Sequence, residues 1–273
     1  MDHALQALLR QRYGEDATLP PVFDSPMLRT MLEHRSVRAY RPDPLPDGTL
    51  ETLIAAAQSA STTSNLQVWS VVAVEDAARR ERLSALVGNQ AHVRQAPLFL
   101  AWLADLSRFD TLGVRAGTTP GAREYLEAFV FGVVDAAIAA QNAAAMAESM
   151  GLGIVYIGGL RNQPEAVAAE LGLPPRAFGV FGMCVGVPDP ARPAAIKPRL
   201  PQRAVLHRER YDASALEADV DAYVDALDRF FAGQGVTHAP WDRHSLARVA
   251  GPGALSGRDR LAQALTALGF PLR

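Results

Sequence analysis

The chain has 273 residues and a single cysteine, Cys184, so no disulfide can form within it and a reducing compartment fits. Cys184 lies in the apolar run Phe181-Gly182-Met183-Cys184-Val185, which points to core packing rather than to a nucleophile, since a reactive thiol needs exposure and a nearby base. There is little net charge: 27 Lys and Arg against 29 Asp and Glu leave −2, without the basic surplus of a nucleic-acid binder. No G-x-G-x-x-G follows a strand, and Walker A, C-x-x-C, H-E-x-x-H and G-x-S-x-G patterns are all missing. Gly151-Leu152-Gly153 lacks a third glycine and reads as a helix stop. The six histidines are scattered, which argues against a metal centre. Met1 to Tyr13 has no continuous apolar stretch of signal-peptide type, so a cytoplasmic protein is expected. The one candidate membrane span, Ala128 to Ala147, is mostly alanine and carries Asp135, Gln141 and Asn142. A central Asp alone opposes insertion by roughly 3 kcal/mol, so the stretch reads as a buried helix.

What is present is an ordinary globular composition, 49% hydrophobic and 21% charged, long enough for one large domain or two small ones. Short helices are expected around Ala4 to Tyr13 and Met27 to Glu33, with a loop at Pro20-Pro21. Pro42, Pro44 and Pro46 force extended backbone, after which Asp47 is placed to cap a helix with Leu50, Leu53, Ile54 and Ala57 on one face. Strands are expected at Val68 to Val74, Leu98 to Leu106, Ile154 to Ile157 and Ala177 to Val187. Helices are expected at Ala77 to Val87, ended by Gly88-Asn89-Gln90, at Leu216 to Phe231 and at Gly257 to Leu268. Asn162 is placed to cap another from Pro164 to Leu171. Arg108 to Gly121, with three glycines and a proline, reads as a mobile loop. The longest helix, Ala122 to Met150, is apolar or small around almost its whole circumference and therefore expected to be buried on all sides. Strands and helices alternate irregularly, which implies an α+β layered fold rather than a doubly wound sheet.

Two basic clusters organise the polar part. His34-Arg35-Ser36-Val37-Arg38 can aim planar guanidinium donors at one anion, and Lys197-Pro198-Arg199 repeats the theme in a turn-rich context. Either could be a solvated basic turn. Together with the glycine pair in Tyr156-Ile157-Gly158-Gly159-Leu160-Arg161-Asn162, they suggest a phosphorylated ligand held from several sides. Ser61 to Gln67 adds hydroxyls and amides, or is an ordinary polar connector.

Taken in order, the first basic cluster, the Ser/Thr loop, Gln141-Asn142, Tyr156 to Asn162 and Lys197 to Pro201 resemble the FMN-dependent nitroreductases. The resemblance is nearest to the oxygen-insensitive NADPH nitroreductases and NADPH-flavin oxidoreductases, and it covers roughly residue 30 to the C-terminus. It implies an α+β nitroreductase-like fold, with a central mixed or antiparallel sheet flanked by helices, in an intertwined homodimer. It divides the chain into an N-terminal extension, 1–25, and an FMN-binding domain, 26–273. His34, Arg35, Ser36 and Arg38 match flavin-facing positions, with Arg35, Lys197 and Arg199 on the phosphate and Arg38 near N1 and O2. Thr62, Ser64 and Gln67 match residues lent by a partner subunit, and Gln90 matches one at the flavin edge or ribityl chain. Tyr156, Ile157, Gly158 and Gly159 match the backbone strip beside the isoalloxazine, where absence of a Cβ permits close approach to a flat ring.

The implied chemistry is ping-pong two-electron reduction of nitroaromatics, quinones or free flavin by NADPH, with NADH possible as the reductant. The flavin does the chemistry, so no side chain is assigned as acid or base, and a cation at N1 stabilises the anionic reduced ring. A flavin-binding carrier or regulator without turnover is the alternative. His238 and Arg243, in the loop Gly233 to Arg243, match the region that reads the 2′-phosphate of NADPH, with His238 where the subgroup carries arginine; Arg161, beside the glycine strip, is placed to compensate by reaching the same phosphate. An imidazole is mostly neutral at neutral pH, so a modest preference for NADPH that grows as pH falls is expected. The N-terminal extension has no counterpart in this pattern.

Overall fold

The computed structural model describes residues 2–15, 19 and 21–273, so Pro20 of the expected Pro20-Pro21 loop lies outside the described residues. The helices are α1 (His3–Tyr13), α2 (Pro26–Leu32), α3 (Thr49–Gln58), α4 (Ala77–Leu86), α5 (Ala91–Gln95), α6 (Arg108–Ala116), α7 (Leu126–Ser149) and α8 (Pro164–Leu171). They continue with α9 (Leu216–Gly233), α10 (Trp241–Arg248) and α11 (Leu261–Ala267). The strands are β1 (Trp69–Val74), β2 (Leu98–Asp105), β3 (Gly153–Ile157) and β4 (Ala177–Gly186). Two compact units result: Met1–Arg35 with Ala195–Ala254, and Ser36–Ala194 with Leu255–Arg273.

The second unit holds the sheet, an antiparallel set in the order β1-β2-β4-β3. β2 is buried along its whole length, because both faces are covered. Phe99, Ala101 and Leu103 face Val155, Ile157 and Cys184 together with Leu83 and Val87 of α4, Val93 of α5 and Val167 of α8. Leu98, Leu100 and Trp102 face Ile154 and Met183 together with Leu53 and Ala57 of α3 and the alanine row 139–147 of α7. Small residues let α7 lie close on the sheet: a Cβ on Gly132 would come within 3.1 Å of Ala104. A bulge leaves Val180 without a cross-strand partner, since Trp102 pairs with Phe181 and Leu103 with Gly179.

The strand expectations hold to within a residue or so at each end. Several local expectations do not. Arg108 to Gly121 is not a loop throughout: α6 occupies most of it, closed by Gly117 in the left-handed region, φ 62°. Its glycines serve packing and termination, because a Cβ on Gly113 would stand 2.7 Å from the Thr118 carbonyl oxygen. Asp47 does not cap α3. Gly48 does, at φ 76°, and the α3 side chains Thr49 and Thr52 bond back to the carbonyls of Pro46 and Gly48. Asn162 does not cap α8 either, because the residue before a proline is pushed out of the helical region, and Gln163 takes that place. Helix α7 begins at Leu126, after a 3-10 turn at Gly121–Glu124, and is not buried all round: Val130, Val134 and Ile138 are each more than 40% exposed along one stripe. The helix is long and apolar enough to cross a membrane, yet its alanine row is core. The expected Gly257 to Leu268 helix is a 3-10 turn, Arg258–Arg260, followed by the shorter α11.

The first unit is built differently. α1 and α2 meet through a small cluster of Leu5, Leu9 and Leu32, with Leu28 partly buried against it. Asp2 caps α1 by accepting from the Leu5 N–H, and Arg29 of α2 pairs with both Asp2 and Asp24. On α9, Asp219 is buried and paired with Arg203 at 2.5 Å, and Tyr223 stacks edge-on against Trp241 of α10 at 5.0 Å.

Candidate functional site

In the sheet-bearing unit, the segment after the first basic pair joins the edge of β3. Ser36 bridges Ile154 in parallel, and the Val37 N–H donates to the Ile154 carbonyl at 2.8 Å. Gly153 makes this possible, since any Cβ there would collide with Val37 at 2.7 Å. Ser36 and Val37 therefore lie along β3, which runs into the turn Gly158–Arg161, and Arg38 follows directly. The Arg38 side chain is exposed, and its charge adds to burial in holding the His92 imidazole below its ordinary pKa. One His92 nitrogen, Nε2, is buried with no hydrogen-bond partner among the described residues. His92 is a neighbour that sequence reasoning missed, because a lone histidine on a short helix carries no pattern.

Tyr156 turns its ring away into the core. It stacks edge-on against Phe181 at 5.2 Å and its hydroxyl donates to Gln141 at 3.3 Å, while burial pushes the phenol pKa up. What β3 offers at this end is therefore backbone. The two glycines beyond it, in a 3-10 turn Gly158–Arg161, have different reasons. A Cβ on Gly159 would meet the Val87 carbonyl at 2.2 Å and Gln90 Nε2 at 3.1 Å, so that glycine is required by packing against the end of α4. At Gly158 the same direction is open, with only Arg161 Nη2 at 3.7 Å. Gln90 is thus placed beside the glycine turn, its amide donating to Val87 O at 2.8 Å. Arg161 folds onto the carbonyl of the bulged Val180, and burial followed by the Arg258 charge lowers its pKa.

The loop 62–67 has a specific shape. Ser64, Asn65 and Gln67 all adopt positive φ, 46°, 56° and 52°. Such backbone persists only where surroundings hold it. The anchor is Asp135 on α7, 1% exposed, whose Oδ1 accepts from the Thr63 N–H at 2.9 Å and the Thr63 hydroxyl at 2.8 Å. Thr62 accepts from the Gln67 N–H, and Gln67 reaches Asn65. The loop carries Thr62, Ser64 and Gln67 on a backbone held by these bonds. The signal for the anchor was the odd Asp135 within an alanine helix.

In the other unit, Arg35, Lys197 and Arg199 are exposed cations and His34 is half-buried. Their main chains are tied together by a residue outside both clusters. Arg12 of α1, 6% exposed, donates through Nη1 to the Lys197 carbonyl at 2.9 Å and through Nη2 to those of Leu32 at 2.7 Å and His34 at 2.9 Å. The Arg199 N–H closes the knot on the Arg12 carbonyl at 2.8 Å. Lys197 Nζ lies 5.2 Å over the Phe231 ring, and His238 stacks on the same ring at 4.0 Å with its Nε2 3.1 Å from Asp228. Arg243 is exposed on α10. Two cavities of about 300 Å³, one under Pro44 to Glu51 and one between Asp110 and Arg123, include none of these residues.

One unit offers exposed cations able to fork onto an anion and the other an unobstructed glycine backbone, and FMN fits that donor set. Comparison with known proteins gives the family. The chain belongs to the nitroreductase family: the family model matches residues 31–187 and the model of the family's C-terminal domain matches 197–273. It is 37% identical over 226 residues to an NADPH-flavin oxidoreductase from Vibrio harveyi, covering 82% of this chain and 91% of that one. It is 42% identical over 187 residues to an oxygen-insensitive NADPH nitroreductase from Salmonella typhimurium, covering 68% and 75%. The solved structure of Bacillus megaterium NfrA2 superposes with a TM-score of 0.86 at 34% identity, over 92% of this chain and all of that one. The expected α+β nitroreductase-like fold is the observed one, its sheet fully antiparallel.

Proposed function

We propose that this protein is an FMN-dependent NAD(P)H oxidoreductase that reduces nitroaromatics, quinones or free flavin. The observation that carries the reading is the open backbone at Gly158, just past a β3 edge on which Ser36 and Val37 are pinned. The relatives support it: they include an FMN reductase (NADPH) from Bacillus subtilis, 40% identical over 188 residues. Bound FMN supplies the hydride-accepting and hydride-donating centre. Arg35, Lys197 and Arg199 hold its phosphate. Arg38 offsets negative charge at the N1 and O2 side of the ring, where a positioned cation favours the reduced form. The 156–159 backbone and Gln90 line the ring and ribityl chain, with His34 and Ser36 completing the contacts.

The molecule works as a homodimer in the cytoplasm, with residues 26–273 forming the flavin-binding body and 1–25 an extension. The apolar stripe of Val130, Val134 and Ile138 on α7 supports this, because such a row exposed on a soluble chain calls for a covering surface. Thr62, Ser64 and Gln67 are lent to the second copy's flavin from the loop fixed on Asp135. NADPH is the preferred reductant and NADH a weaker one. With Arg161 folded onto Val180, the 2′-phosphate falls mainly to His238 and Arg243, and Asp228 beside His238 keeps the preference modest.

The test is anaerobic addition of NADPH to the yellow holoprotein. Rapid bleaching of the visible flavin band is expected; an unbleached flavin would leave the carrier reading in its place. Arg38→Ala is expected to retain most of its FMN and reduce nitro compounds slowly, losing at most a few kcal/mol of ring stabilisation. Complete loss of FMN from that variant would move Arg38 to the phosphate.

A further inference from the structure

A buried arginine whose donors go to main-chain carbonyls is a structural tie, and what it ties decides its consequence. Arg12 lies on α1, outside the 31–187 and 197–273 segments that match the family models. Its guanidinium spans two stretches of chain far apart in sequence, the carbonyls of Leu32 and His34 on one side and of Lys197 on the other. Its own carbonyl takes the Arg199 N–H. Those two stretches carry Arg35, Lys197 and Arg199. A planar fork with donors in fixed directions sets the separation and orientation of both backbones at once, which a single ammonium cannot do. The helix bearing it is itself seated by Leu5 and Leu9 and by the bond from Gln202 to the Tyr13 hydroxyl at 3.2 Å.

We infer that Arg12 is a positioning residue for the cofactor phosphate, and that the N-terminal extension serves to preorganise the two basic clusters as one phosphate clamp. The inference rests on the reading above that Arg35, Lys197 and Arg199 hold the FMN phosphate. Arg12 acts through the main chains it holds, from which the cations project. Preorganised donors bind more tightly because less ordering remains to be done when the ligand arrives.

The discriminating readout is affinity for FMN relative to riboflavin, which lacks the phosphate, measured by flavin fluorescence on the full-length apoprotein. In Arg12→Met the dissociation constant for FMN should rise about tenfold or more, while that for riboflavin rises by less than about twofold. Equal weakening of both would reduce Arg12 to a general structural role and overturn the inference. Arg12→Lys keeps the charge but not the fork, so it too should lose part of the preference for FMN. A wild-type preference in Arg12→Lys would overturn the inference, and this variant decides the matter if Arg12→Met does not fold. Lys197→Ala separates the two readings. If it narrows the preference while Arg12→Met does not, only the role of Arg12 falls. If Lys197→Ala leaves the preference intact, the phosphate clamp falls and the inference with it.

Discussion

The sheet-bearing unit and the unit formed by Met1–Arg35 and Ala195–Ala254 are each ordered internally by different forces. In the former, β2 is buried on both faces and large side chains such as Phe99, Trp102 and Phe178 are fully enclosed. In the latter, the shared apolar cluster is three leucines with a few partly buried neighbours, and much of the order comes from Arg12 on three carbonyls, Arg203 on Asp219 and Arg29 on two aspartates. Hydrophobic burial is non-directional and gives most of the stability, whereas charge-assisted bonds are directional and fix particular groups.

That contrast can be broken by substitution. The largest effect is expected from Phe99→Ala in β2. The ring fills the space above Gly182, where a Cβ would approach to 2.2 Å, so its loss leaves a cavity. A cost of about 3–5 kcal/mol is expected, read as an earlier, still cooperative urea transition followed through both far-UV dichroism and flavin release. Leu9→Ala removes an equally buried side chain from the smaller cluster. Here about 2–3 kcal/mol is expected, confined to faster amide exchange over α1 and α2 while the strands keep their protection. Global unfolding by Leu9→Ala at unchanged temperature would show that the two units do not differ in this way.

The smallest effect sharpens the same point by pH. Burial pushes the Cys184 thiol up to about 12, far above the usual thiol range. In the unfolded chain a thiol releases its proton near about 8.5, so above that pH the unfolded state binds fewer protons than the folded state and stability falls as pH rises. Between pH 8.5 and 9.5 this group should cost about 1 kcal/mol, and Cys184→Ala should remove that part of the slope. Thiol reagents should leave the native protein unlabelled and modify it once unfolded. Labelling at native rates would place Cys184 outside the core.

The strand cores were legible because unbroken apolar runs of strand length such as Leu98 to Leu106 belong in a sheet covered on both faces. The basic clusters, the hydroxyl loop and the glycine turn were legible as residue types in a given order. The caps misread at Asp47 and Asn162 turned on backbone angles one residue away, which composition does not carry. Arg108 to Gly121 was misread because glycine signals both mobility and close packing, and only neighbours such as Thr118 tell the two apart.

The sequence by itself determined which segments are apolar, where chain breaks fall and which chemistry the polar residues can do, because hydrophobic period and donor type are local properties. Tertiary structure alone decided that Gly159 is needed by Val87 rather than by a ligand, that Asp135 shapes the 62–67 loop, and that Arg12 is buried on the carbonyls of 32, 34 and 197. An arginine on a short amphipathic helix reads the same whether it faces water or a carbonyl 185 residues away. Burial is a property of contacts between distant parts of the chain, and no local pattern encodes it.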